Sequence, residues 1–235
     1  MTKTLQVEGM SCRHCAMHVK EALLAVNDIT DASVDLNKGQ VVIKAKQNFE
    51  AYSPSSETPE DLLRTIIEDA HVVIKLTRFT SEQDPHSTAC VLLMQQGRVY
   101  WAHCGDSRIY HFRSGRVAAR SGDHSLVAEL VRTGQLSEEE AEYYPHKNLL
   151  LSCLGAEREP RIDIASVDAL QAGDAFLLCS DGLWGHLADS ELARAIDAQP
   201  ARQAARLLID QARVRGRGTG DNISMAIVRL ADSGA

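Results

Sequence analysis

Two cysteines with C-x-x-C spacing, Cys12 and Cys15, are the side chains whose types and spacing most directly suggest chemistry. Two thiolates held in one loop can converge on a single ion, and thiolate ligands favour Cu(I), Zn²⁺ or Fe–S clusters over hard cations. The same spacing also serves redox dithiols and half of a zinc site. The pair therefore predicts a soft-metal site, with a redox dithiol or unpaired structural thiols as the alternatives.

Two aspartates occupy a second kind of chemically suggestive position, beside glycine at the ends of predicted strands. Asp181 directly follows the apolar run 175–179, and Asp221 lies in a Gly-Asp-Asn sequence just before the last predicted strand. Oxygens that converge from loops and strand ends are the ligands that Mg²⁺ prefers, and Mn²⁺ can take the same donors. The alternative is that each aspartate only caps its own turn.

The elements around the cysteines can be predicted from the spacing of apolar residues. Polar and apolar residues alternate over 4–7, which predicts a half-buried strand. From Ala16 onward, apolar residues recur at helical spacing, which predicts an amphipathic helix. The thiol loop therefore lies at a strand-to-helix junction, where the positive end of the helix favours the thiolate form.

The rest of the chain changes character after a polar junction at 77–88. Glycine-containing turn signals separate a run of short strands. We predict strands over 89–94, 99–104, 108–112, 117–120, 161–166, 175–179 and 223–230, and helices over 125–133, 137–143 and 190–213. Antiparallel strands with helices grouped between them indicate an α+β sandwich.

The string GMSCRHC at 9–15, between a strand and a helix, resembles the heavy-metal-associated domain of copper chaperones and metal-pumping ATPases. The resemblance implies a ferredoxin-like βαββαβ domain over residues 1–76. Its later elements would be strands at 34–36 and 41–43, a second helix over 62–70 and a closing strand over 72–75.

By this resemblance, Cys12 and Cys15 are the ligands of a soft metal, with Cu(I) favoured and Zn(II) or Hg(II) as alternatives. Met10 would be a buried support residue. His71 lies near the loop that approaches the metal in this family, and it is a further candidate ligand.

Four motifs occur in order in the second part of the chain: WAHCGDSRIY at 101–110, GDHSLV at 122–127, LLCSDGLWGHL at 177–187 and GDNIS at 220–224. They resemble the bacterial metal-dependent protein phosphatases of the type-2C class. The resemblance implies a helix-flanked β-sandwich whose Mn/Mg centre hydrolyses phosphoserine and phosphothreonine. Asp181 and Asp221 would hold one catalytic metal, and Asp123 would match the acidic residue of a third, weaker metal. Asp106 and Arg108 would hold a structural hairpin.

The chain departs from that family at one motif. The family carries Asp-Gly-x-Gly-Gly, whose aspartate bridges two metals, and no such string occurs before Ala89. A two-metal mechanism needs both ions close together with an activated water. We therefore expect no intact set of catalytic residues, a weak Mn²⁺ or Mg²⁺ site, and an incomplete α-β-β-α sandwich over 89–231.

Composition narrows the setting of the protein. The net charge of −7 argues against a general nucleic-acid binder. No apolar run approaches the roughly 18 residues that a membrane span needs, and the N-terminus lacks the layout of a signal peptide. Six cysteines, four of them dispersed singly, fit a reducing compartment. We expect a cytoplasmic protein.

Three functional hypotheses follow. The first is soft-metal binding by the N-terminal domain, with a phosphatase-like region that is weak or inactive. The second is an Mn/Mg-dependent serine/threonine phosphatase regulated by the metal-binding domain, and the third is a non-catalytic interaction domain. The expected partners are a copper-transport protein, a phosphoprotein, or a second copy of the chain bound through uncovered sheet.

Overall fold

The computed structural model describes residues 2–6, 29–35, 40–45, 58–77, 84–217 and 221–230. The chain divides into two compact units, residues 1–56 and 57–235. Residues 2–6, 29–35 and 40–45 are described by the pairing of their backbones. The thiol pair, Cys12 and Cys15, and the helix predicted from Ala16 lie outside the described residues.

The first unit contains three antiparallel strands: β1 (Thr2–Gln6), β2 (Ile29–Asp35) and β3 (Gln40–Ala45). β3 lies in the centre and pairs with both neighbours, so β1 and β2 run parallel on its two sides. A strand inserted between two parallel strands is the split arrangement of ferredoxin-like folds. The three predicted strands are therefore present in the order that this fold requires.

The predicted closing strand over 72–75 is wrong, because these residues belong to the helix α1 (Pro59–Thr77). Leu63, Ile67 and His71 recur at intervals of four residues, and all three are buried on one face of this helix. The two apolar members pack on Tyr100 and other residues of the second unit. The compact units divide at 56/57, while the domain boundary at 76/77 stays a prediction.

Specific hydrogen bonds also attach α1 to the second unit. The Gly155 backbone N–H donates to His71 Nδ1 at 3.2 Å, and the Lys75 ammonium donates to the Glu157 carbonyl at 3.0 Å. At the other end, Thr58 and Asp61 exchange side-chain and backbone hydrogen bonds that cap the helix. His71, a candidate soft-metal ligand from the sequence, is thus part of the packing of the second unit.

The second unit contains two antiparallel sheets. Their strands are β4 (Ala89–Gln95), β5 (Arg98–Cys104), β6 (Arg108–Arg113), β7 (Arg116–Arg120), β8 (Asp163–Val167), β9 (Ala175–Cys179) and β10 (Met225–Arg229). One sheet has the order β4-β5-β8 and the other has the order β10-β9-β6-β7. Each lies where the sequence predicts a strand.

Four further helices of this unit lie at the predicted positions, and the short helix at Asp181–Trp184 was not predicted. In chain order, these five helices are α2 (Leu126–Arg132), α3 (Glu138–Glu142), α4 (Asp181–Trp184), α5 (Asp189–Ala198) and α6 (Ala201–Arg215). The predicted helical stretch 190–213 is interrupted at Pro200, because the residue before a proline is disfavoured in the helical region. Within the described residues, no helix has both the length and the apolar character to cross a membrane.

The apolar side chains of the second unit form three layers of contact. Val99, Trp101, Ile109 and Phe176 pack between the two sheets. α1 covers the outer face of the three-stranded sheet, and α5 and α6 cover the outer face of the four-stranded sheet. The order helix–sheet–sheet–helix agrees with the predicted α+β sandwich, while its incompleteness stays a prediction.

We expect a fragment of residues 57–235 to unfold cooperatively and a fragment of residues 78–235 to aggregate, because the second lacks α1 and exposes the surface under Leu63. Within the longer fragment, Leu63→Ala should lower the free energy of unfolding by about 3 kcal/mol. Leu207→Ala, at a side chain that is 41% exposed on α6, is the control. Urea unfolding and light scattering give the readouts. A monomeric 78–235 fragment with the same unfolding midpoint would contradict this packing.

Candidate metal centre

The two strand-end aspartates predicted from the sequence come from neighbouring strands. β9 and β10 pair antiparallel, with Cys179 opposite Met225. Asp181 lies two residues after the end of β9, and Asp221 lies four residues before the start of β10. The loops that carry both carboxylates therefore meet at the same edge of the four-stranded sheet.

Ser180 and Gly182 lock these two loops together. The Ser180 hydroxyl donates to the Asn222 carbonyl at 3.1 Å and accepts from the Ser224 backbone N–H at 3.0 Å. A Cβ atom on Gly182 would lie 2.5 Å from the Asn222 carbonyl oxygen. Because only glycine permits this approach, the close spacing of the loops depends on that residue.

The carboxylates of Asp181 and Asp221 act on each other and on their own backbone. Each accepts a hydrogen bond from the next residue's N–H, at 2.9 Å for Asp181 and 2.7 Å for Asp221. Burial and the charge of Asp221 raise the pKa of Asp181 above its ordinary value. The turn-capping interpretation is thus correct in part, and the residual repulsion is of the kind that a bound cation relieves.

Asp106 adds a third carboxylate, although the sequence assigned it only to a hairpin turn. Burial, with the charges of Asp181 and Asp123, raises the pKa of Asp106 to about 6. The indole N–H of Trp184, on the short helix that begins at Asp181, donates to the Asp106 carbonyl at 3.0 Å. This bond joins the hairpin to the helix that carries the first carboxylate.

Asp123, the residue predicted for a third metal, pairs with Arg108. Arg108 Nε and Nη2 donate to the two Asp123 carboxylate oxygens at 2.8 and 2.7 Å, and the side chains are 14% and 11% exposed. The guanidinium also lies 3.4 Å from the centroid of the Trp184 ring. A bidentate pair of this kind is geometrically specific, so Asp123 holds the hairpin in this structure.

A second group of ligand-type side chains was missed by the sequence reasoning. His103, His124 and Asp163 offer one ligand atom each, and these atoms lie within 4.8 Å of one another. His103 on β5 pairs opposite Asp163 on β8, and the imidazole centroids of His103 and His124 are 4.5 Å apart. Both histidines lie within the phosphatase-like motifs at 101–110 and 122–127. Their proximity to Asp163 depends on the register of β5 with β8 and could not be seen in those motifs.

Comparison with known proteins identifies two parts in the chain. Residues 4–70 match the family of the heavy-metal-associated domain. The match extends beyond the first compact unit into α1, whose apolar spacing also suits the second helix of that family. The match includes Cys12 and Cys15.

The remainder is similar to bacterial phosphatases. The serine/threonine phosphatase Stp of Listeria monocytogenes is 34% identical over 178 residues, covering 74% of this chain and 69% of that protein. The S. agalactiae serine/threonine phosphatase structure aligns with a TM-score of 0.70 at 25% identity, over 97% of this chain and 92% of the other. The PstP catalytic domain, solved with two manganese ions, aligns over 98% of this chain and 86% of the other. With a TM-score of 0.64 and 22% identity, it supports the fold alone.

The raised pKa of Asp106 predicts a pH dependence of stability. Because the folded-state pKa is about 6 and the ordinary value is 3.8, the folded state binds more protons between these values. Stability contributed by this group is therefore lost as pH rises from about 4 to about 6. Asp106→Asn should remove that loss, whereas the exposed Asp168→Asn should not. Thermal unfolding without divalent cations checks this, and parallel pH profiles for wild type and Asp106→Asn would contradict it.

Proposed function

We propose that this chain, which belongs to the bacterial PPM-type serine/threonine phosphatase family and carries a heavy-metal-associated domain, binds two chemically different metals. The first unit would bind a soft metal through Cys12 and Cys15, and the second would bind Mn²⁺ or Mg²⁺ through Asp181 and Asp221. The observation that carries the second assignment is the locked pair of loops that places these two carboxylates at one sheet edge.

Cu(I) is the soft metal that we propose for the thiol pair, since two thiolates satisfy its preference for soft ligands. Cys90 and Cys104 of the second unit are poor competitors for the metal, because a ligand cysteine must lose its proton. Burial raises the pKa of Cys90 to about 12, and burial also raises the pKa of Cys104, so both remain thiols at neutral pH. A copper-transport protein is the corresponding partner.

The carboxylate centre would hold one hard cation, with Asp106 as a third nearby carboxylate and Asp123 retained by Arg108. A bound divalent cation supplies Lewis-acid polarisation of a phosphoryl oxygen. The protein residues would hold the ion and keep the two loops in register. The similarity to serine/threonine phosphatases supports a phosphoserine or phosphothreonine side chain as the ligand.

Hydrolysis by these 235 residues should be weak or absent. They contain no Asp-Gly-x-Gly-Gly string, so no bridging aspartate is supplied in the family's position. The manganese-bound PstP catalytic domain holds two ions, and a two-metal displacement needs both to activate water and stabilise the leaving oxygen. Phosphoprotein binding without rapid turnover is therefore the function that we propose for the second unit.

Self-association is the third proposed interaction. The surface of α1 away from the sheet exposes four apolar side chains, Ile66, Val72, Val73 and Leu76, each more than 40% exposed. Exposed apolar patches of this kind favour association between chains. Sedimentation of the full chain at several concentrations would measure it.

Copper binding should depend on the thiol pair. The full chain should bind about one Cu(I) through sulfur, since two thiolates converge on one soft ion. Replacing both Cys12 and Cys15 with serine should abolish tight binding, whereas replacing Cys90 and Cys153 with serine should leave it unchanged. Competition against a Cu(I)-specific chromophoric chelator measures the affinity. Undiminished affinity in the Cys12/Cys15 variant would refute the assignment.

Cation binding at the carboxylate centre can be measured separately from catalysis. Asp181→Asn and Asp221→Asn should each weaken Mn²⁺ binding at least about 10-fold, measured by paramagnetic resonance, whereas Asp168→Asn should not. Phosphate release from a phosphoserine peptide should be at least about 100-fold slower than for Listeria Stp in the same assay, since one ion alone does not both activate the water and stabilise the leaving oxygen. Equal turnover that Asp181→Asn abolishes would overturn the proposal of weak catalysis while preserving the metal site.

A further inference from the structure

Two buried imidazoles near the acidic centre have nitrogen atoms without hydrogen-bond partners among the described residues. His103 and His124 are 2% and 3% exposed. His103 Nδ1 and His124 Nε2 make no hydrogen bond within that part of the chain. Leaving a polar atom unpaired in the interior is unfavourable. A metal ion would accept the free electron pair of His103 Nδ1, and it would accept that of His124 Nε2 once the His124 proton moves to Nδ1.

The distances around these nitrogens suit a metal ion. His124 Nε2 lies 3.1 Å from Asp163 Oδ2, and the two form an ion pair when the imidazole is protonated. The ligand atoms of His103, His124 and Asp163 all lie within 4.8 Å of one another. In a tetrahedral zinc site with bonds of about 2.1 Å, neighbouring ligand atoms are about 3.4 Å apart. Small side-chain adjustments would therefore bring the three atoms onto one ion.

We propose that His103, His124 and Asp163 form a binding site for a divalent transition metal, with Zn²⁺ as the representative ion. Two imidazole nitrogens and one carboxylate oxygen are ligands that zinc accepts, and three protein ligands leave one position open. His103 follows Val99 and Trp101 at alternate positions of β5, so the site lies on the inner face of its sheet. It is separate from the all-oxygen centre at Asp181 and Asp221.

Residues around the site already hold two of the three ligands in the orientation that coordination needs. His103 Nε2 donates to the Gly122 carbonyl at 2.6 Å, which leaves the Nδ1 lone pair available. Arg161 donates to both Asp163 oxygens at 3.0 and 2.8 Å and fixes the carboxylate. Metal-ligating side chains are commonly held by outer hydrogen bonds of these two kinds.

The third ligand connects the site to the acidic centre. The Gly105 backbone N–H donates to His124 Nδ1 at 3.3 Å, a long hydrogen bond. Coordination through Nε2 places the imidazole proton on Nδ1, so this bond is lost. Gly105 precedes Asp106, and Gly122 precedes Asp123. Occupancy of the histidine site would thus act on both segments that carry these carboxylates.

The test uses the full chain with Cys12→Ser and Cys15→Ser, so that thiols do not take the zinc, and with excess Mg²⁺ to occupy the carboxylate centre. Zn²⁺ is titrated against a chromophoric chelator, and X-ray absorption identifies the ligands. One Zn²⁺ per chain with two imidazoles and no sulfur is expected. His103→Asn and His124→Asn should each weaken binding more than about 100-fold, beyond the loss seen for outer-shell changes. His146→Asn, at an exposed histidine, is the matched control.

Several outcomes would overturn the proposal. The first is that the Cys12/Cys15 variant takes up no Zn²⁺, and the second is that the bound Zn²⁺ has no imidazole ligand. The third is that both His103→Asn and His124→Asn keep an unchanged affinity for Zn²⁺. Circular dichroism reports whether these variants fold. If they do not, Asp163→Asn at a half-buried position replaces them, and unchanged Zn²⁺ affinity in that variant counts against the site. Because Mg²⁺ fills the carboxylate centre throughout, failure here leaves the cation assignment at Asp181 and Asp221 intact.

Discussion

The geometry of the acidic centre depends on one partly buried cation, the guanidinium of Arg108. It bonds both oxygens of Asp123 and stacks on Trp184, whose indole N–H reaches the Asp106 carbonyl. Removing one partner of a mostly enclosed ion pair leaves the other charge uncompensated, which is destabilising. The hairpin, the loop before α2 and the helix after β9 are therefore held as one piece, and Asp181 is positioned by that piece.

Local patterns allowed most of the second unit to be predicted from the sequence. Apolar alternation and glycine turns located its strands. The helix predicted over 137–143 is present as α3, and the structure shows a capping box between Ser137 and Glu140 at its start. The prediction of a strand over 72–75 was wrong. These residues continue the helix whose buried face is formed by Leu63 and Ile67. Tertiary packing against a sheet decided the conformation there, and local preference did not.

The candidate sites show the same division between local and long-range information. Asp181 and Asp221 could be singled out because each follows a recognisable local pattern. The environment of Asp123 could not be predicted, since its motif does not identify Arg108 as the side chain that faces it. The meeting of His103 with Asp163 is set by the register of β5 with β8. Pairing register between distant strands follows from the whole sheet and is weakly encoded in either segment alone.

The docking of α1 has a consequence for how such chains can arise. Its buried side chains, its bond from Gly155 and its Lys75 contact with Glu157 all lie within the second unit. A crossover between genes just upstream of residue 57 would transfer this helix together with the sheet that it covers. Such a junction would divide the region that matches the heavy-metal-associated family, because that match continues to residue 70 within α1. The helix therefore belongs to one part of the chain by sequence and to the other by packing.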